Sequence, residues 1–143
     1  MKENINALDE VHKGCCMGID AINFIFDKVK DNGLKEELEK EKESYEKIKI
    51  NVEKIYSKYN SEDNPHETGV MTKAMTWSGI EMKTLTDTST SKLAELLLQG
   101  VNMGIIEGRK ILNNKKINKD VKSIISKYVT MQEESVEALK TFL

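Results

Sequence analysis

Arginine is nearly absent from this chain: of its 22 basic residues only Arg109 is one. The lysines are spread along the chain among 24 acidic residues, and the net charge is -2. No basic stripe is available to neutralise a row of phosphates, so nucleic-acid binding is not expected. Proline occurs once, at Pro65, and the chain is rich in Glu, Lys, Leu and Met. That combination favours long helices. No apolar run approaches the roughly 20 residues of a membrane span, and Met1-Lys2-Glu3-Asn4 opens no apolar signal core. A soluble, cytoplasmic protein without a membrane partner is expected. Only two cysteines are present, Cys15 and Cys16, and they are adjacent. Neighbouring Cα atoms lie about 3.8 Å apart, below the usual disulfide range of about 4.4–6.8 Å, so both read as reduced thiols of a reducing compartment.

What is present fits one helical domain spanning 1–143. A length of 143 residues is enough to bury a core, and a hydrophobic fraction of 38% argues against disorder. The preference for Lys, Asn and Ile is that of an AT-rich bacterial genome. The first helix is expected over about 3–31, with Ile5, Leu8, Cys15, Ile19, Ile22, Phe26 and Val29 at helical spacing and His12 in the one gap. Asp31-Asn32-Gly33 should end it, with Gly33 in the left-handed conformation. The second helix is expected over about 34–59, on a seam from Leu34 through Tyr45 to Tyr59 in which Glu41 takes a core-phased position and therefore needs a partner or an edge. Asn64, Pro65 and Glu67 resemble a capped helix start, and a short helix over about 65–86 would carry the chain along the bundle. Its Met71, Met75, Trp77 and Met82 suit the covering of a flank.

The third helix is expected over about 90–113, with Leu93, Leu96, Leu97, Met103, Ile106 and Ile111 as its seam. The fourth, over about 119–142, starts from an Asn118 cap and buries Val121, Ile124, Ile125, Tyr128, Met131, Ser135, Leu139 and Phe142. Matched helices of this length reach about 37 Å each and permit one continuous core. The fold class expected is all-α: a four-helix bundle of two antiparallel hairpins joined by a long helical crossover.

This arrangement resembles the ferritin-like superfamily over nearly the whole chain. The stretches His12-Lys13-Gly14-Cys15-Cys16-Met17-Gly18, Gly100-Val101-Asn102-Met103-Gly104-Ile105-Ile106-Glu107 and Met131-Gln132-Glu133-Glu134 resemble small ferritin-like proteins of clostridial-type bacteria. Di-iron members use a glutamate plus a Glu-x-x-His pair from each half of the bundle. No Glu-x-x-His occurs here, and His66 falls in the crossover. The nearest match is Asp9-Glu10-Val11-His12, so a di-iron site is not expected.

Three constellations carry the functional expectations. Gly14 and Gly18 on the first helix, and Gly100, Gly104 and Gly108 on the third, recur every fourth residue. Each costs about 1 kcal/mol relative to alanine inside a helix. They imply close packing of the first helix on the third, a homodimer interface, or the floor of a small-molecule pocket. His12, Cys15 and Cys16 lie three and four residues apart and, with Glu107, could bind a transition metal or activate a thiol. The plainer reading makes them small core residues. The inward-phased Asp9, Asp20, Glu41, Glu107, Glu133, Glu134 and Glu137 could line an oxygen-rich metal site, or fall inward by chance. No complete catalytic set is present. The leading expectation is a non-enzymatic, self-associating or partner-binding bundle, most simply a homodimer. A metal- or thiol-dependent stress protein and a small-ligand binder between the first and third helices are the alternatives.

Overall fold

The structure is a computed structural model that describes residues 2–59, 85–114 and 116–143. These residues form four helices: α1 Lys2–Phe26, α2 Asn32–Tyr59, α3 Thr90–Leu112 and α4 Lys119–Lys140. The expected all-α class and four-helix count hold, and there is no strand among the described residues. Of the crossover helix expected over about 65–86, with its Asn64 cap and methionines, all but the last two residues lie outside the described residues, and 85–86 are not helical.

The end of α1 departs from expectation, and local hydrogen bonding explains why. The helix stops at Phe26, where Lys28 N donates to Ile25 O (2.8 Å) and Val29 N to Phe26 O (3.1 Å), a tightening last turn. Val29 then enters the core from outside the helix. Asp31 is the N-cap of α2 rather than part of a stop: its Oδ1 accepts from Leu34 N at 2.9 Å, and its carbonyl accepts from Lys35 N at 3.1 Å. Gly33 therefore sits in the first turn of α2. Among the described residues no glycine has a positive φ, so the left-handed cap expected there is not formed. The capping aspartate starts the next helix before a glycine is needed to end the previous one. A Cβ on Gly33 would lie 3.3 Å from the ring of Phe142, which packs over this turn.

At the other end of the bundle, polar side chains tie three helices together. Asn118 is the N-cap of α4, yet its side chain does not cap. Its Nδ2 donates to Tyr59 Oη at 3.1 Å, and its backbone N–H donates to Asn4 Oδ1 at 2.8 Å. Tyr59 Oη in turn donates to Asp120 Oδ1 at 2.6 Å, and Lys58 Nζ lies 2.9 Å from Asp120 Oδ2. The start of α1, the end of α2 and the start of α4 therefore share one end. Only residues 113–118 separate α3 from α4, so α3 ends there too. Each hairpin, α1–α2 and α3–α4, is antiparallel. Tyr59 and Thr90 lie at opposite ends of the bundle, about 34 Å apart along α3 at 1.5 Å per residue.

The α1–α2 and α3–α4 pairs pack most extensively, and the hairpins meet through α2 on α4 and, over a shorter stretch, α1 on α3. Leu8 and Ile25, Leu34 and Leu38, Leu93 and Leu96, and Ile125 and Leu139 form the fully buried centre. The phase of α3 differs from the expected seam. Met103 and Ile106 are exposed, at 46% and 54%, whereas Ala94, Val101 and Gly108 are buried. A count of apolar residues gives glycine no weight, yet glycine occupies the inner face of α3 in its second half. No helix among the described residues is long and apolar enough to cross a membrane.

Replacing Asp31 by alanine is expected to cost about 1 kcal/mol by leaving the Leu34 N–H without its cap. A lower urea midpoint at unchanged slope would register that loss.

Candidate ligand cavity

The glycines of α1 and α3 make room for side chains that come from the other two helices. A Cβ on Gly14 would fall on the Tyr128 hydroxyl, one on Gly104 on the Gln132 amide, and one on Gly108 on Val129. A Cβ on Gly18 would lie 2.7 Å from the ring of Tyr45. Gly14, Gly18, Gly104 and Gly108 are thus closely packed within the chain, by residues of α2 and α4. They are not a direct contact of one glycine stripe on the other, as the spacing alone suggested.

Between α1 and α3 these residues form a half-open cavity of about 270 Å³, lined by Gly14 and Gly18 of α1 and Gly100, Gly104 and Gly108 of α3. Val11, Met17, Ile22, Leu97 and Val101 supply apolar wall. Glu41 and Tyr45 from α2 and Tyr128 and Gln132 from α4 supply polar groups deep inside. Gln132 Nε2 donates to Tyr45 Oη at 3.3 Å, and the Tyr45 and Tyr128 rings are tilted at 58° with centroids 6.4 Å apart. Two oxygens in this group, Glu41 Oε2 and Gln132 Oε1, are buried without a hydrogen-bond partner among the described residues. Buried polar atoms are normally satisfied, and leaving one unsatisfied costs about 1–3 kcal/mol.

Burial also sets the protonation of the group. It raises the Glu41 carboxyl from 4.5 to about 10, with a hydrogen bond and the charge of Glu37 adding to the effect. Tyr45 and Tyr128 are likewise held above their ordinary range by burial. At neutral pH the floor therefore consists of a neutral carboxylic acid, two phenols and an amide. This set can accept, donate and orient. It contains no base poised to activate a nucleophile.

The residues expected to bind metal are not assembled. His12 is buried, with Nε2 3.0 Å from Glu53 Oε2 and Nδ1 3.8 Å from Cys16 Sγ. Cys15, one position earlier, turns into the apolar core instead. Burial and then the neighbouring Cys16 push its thiol well above the ordinary value, so it is not a thiolate. Glu107 is exposed on α3, 3.4 Å from Lys110 Nζ. Among the described residues no three His, Cys, Asp or Glu side chains are placed to hold a metal ion. The other inward-phased carboxylates also part company: Glu133 is exposed and pairs with Arg109, and Glu134 and Glu137 are exposed. A di-iron centre does not fit these residues.

Of the residues that define the cavity, the glycines, Glu41, Tyr45 and Tyr128 stand out in the sequence by spacing or phase. Gln132 does not, although it lies four residues after Tyr128 and three before Ser135, on the same inner face. No protein-family profile, no curated protein and no solved structure matches the chain.

Two outcomes follow from this geometry. Gly18→Ala pushes a methyl into the fully packed Tyr45 ring and should cost about 1–3 kcal/mol in chemical denaturation. The second concerns pH. Folded Glu41 keeps its proton up to about 10, while the unfolded chain loses it near 4.5. Unfolding between those values releases a proton, so its contribution makes stability fall as pH rises. Melting temperatures taken from about pH 5 to about pH 9 should decline, and Glu41→Gln, which has no proton to lose, should flatten the decline.

Proposed function

We propose that this chain is a non-enzymatic, ferritin-like bundle that binds a small molecule between α1 and α3. The observation that carries the reading is the cavity itself, apolar in its walls and ending on two buried oxygens that nothing in the described chain satisfies. Apolar pockets with a few convergent polar groups and a perturbed carboxyl are the usual form of a ligand site. At about 270 Å³ the cavity is below the roughly 300–1,000 Å³ of common ligand pockets, which points to a small ligand. The ferritin-like assignment draws support from two antiparallel hairpins whose connecting ends lie at opposite ends of the bundle. Two buried free cysteines favour a cytoplasmic location, in keeping with the bacterial composition. Self-association draws no support from the glycine faces, since Tyr45, Tyr128, Val129 and Gln132 fill them from within.

Phenethyl alcohol, a small neutral probe, should bind saturably at one site in ligand-observed NMR. Gly100→Leu fills the cavity from α3 and should abolish that binding while helical circular dichroism and melting temperature persist. Met17→Trp, from the opposite wall, repeats the test if the first variant does not fold. Binding that survives a folded, filled variant would place the probe elsewhere and sink the reading.

A further inference from the structure

We propose that the ligand is an organic cation, a primary amine on a small apolar or aromatic body, whose ammonium group docks between Glu41 and Gln132. This rests on the cavity being a ligand site, and it names the chemistry that site selects. Among the described residues the unsatisfied atoms at the floor are Gln132 Oε1, an acceptor, and Glu41 Oε2, which becomes one when the carboxyl ionises. Their residues are only 4% and 2% exposed, so a ligand that pairs with both brings N–H donors into the cavity. An ammonium group brings three. An anion could not pair with Gln132 Oε1, which only accepts. A neutral apolar molecule would leave both oxygens unpaired.

Docking involves a defined proton step. The neutral Glu41 carboxyl gives its proton to solvent, and the resulting carboxylate pairs with the ligand's ammonium, so one proton leaves for each cation bound. The groups that face Glu41 are Glu37, Lys40 and Tyr45 on its own helix and Ser135, Tyr128 and Gln132 on α4. Across the cavity stand Glu10 and Lys13 on α1 and Glu107 on α3. Lys13 is the cation among them that borders the cavity, and Glu10 and Glu107 offset it.

Three probes of one shape test the proposal: phenethylammonium, phenethyl alcohol and phenylacetate, titrated by calorimetry at neutral pH. The ammonium should bind about tenfold or more tighter than the alcohol, the yield of one charge-assisted hydrogen bond, and phenylacetate should not bind. Repeating the titration in buffers of different ionisation enthalpy should report close to one proton released per ammonium bound and none for the alcohol. Glu41→Gln should bring the ammonium down to the affinity of the alcohol and leave the alcohol unchanged. If Glu41→Gln does not fold, the proton count in the unaltered chain decides alone. Alcohol binding as tight as ammonium binding, or ammonium binding with no proton released, overturns the proposal and leaves the cavity standing as a ligand site. Failure of all three probes to bind overturns both.

Discussion

Placing four polar side chains at the centre of a helical bundle is the constraint on which the rest of this structure turns. Tyr45, Tyr128 and Gln132 need more space than a seam of leucines allows, and they obtain it from helices that lack a Cβ where those side chains arrive. Both halves of the arrangement are unfavourable in isolation. Glycine inside a helix costs about 1 kcal/mol against alanine, and a carboxyl removed from water must give up its charge or find a partner. Both costs fall on residues that line one cavity.

The polar network at one end of the bundle sets the frame for that cavity. Asn4, Tyr59, Asn118 and Asp120 join three helices through part-buried hydrogen bonds. The Asp120 carboxyl is held below its ordinary value, chiefly by the Tyr59 hydroxyl it accepts from. The exposed Lys58 contributes less, since solvent screens such pairs. With the ends fixed, the antiparallel hairpins bring Gly14 and Gly18 level with Gly100, Gly104 and Gly108. A bundle in another register would set these glycines against solvent or against one another, and the cavity would not exist.

The His12, Cys15 and Cys16 group shows how similar spacing serves different ends. Residues three and four apart both lie near the same helix face, but they flank it on opposite sides. Cys16 meets the His12 ring, and Cys15 joins Leu8 and Val11 in the apolar core. The histidine finds its charged partner on α2, in Glu53. A buried imidazole with a thiol on one nitrogen and a carboxylate on the other is a satisfied polar group, and it competes with metal binding for the same lone pairs.

The sequence by itself determined the class of structure. Helical periodicity over four long segments and a scarcity of proline are local signals, and local signals act within a few residues of one another. The same locality explains the misplacements. Asp31 and Gly33 are each a plausible boundary, and only the hydrogen bond to Leu34 shows that the aspartate prevails. Met103 and Ile106 match the helical period as well as any residue of α3, yet they face outward because the inner face belongs to glycines that carry no hydrophobic signal. The cavity was decided by tertiary structure alone. Its polar floor joins residues 41, 45, 128 and 132 across two hairpins, and no spacing within one helix records which side chain of a distant helix will fill the gap a glycine leaves. Composition could mark Glu41 as misplaced in a core, but only the fold shows what surrounds it.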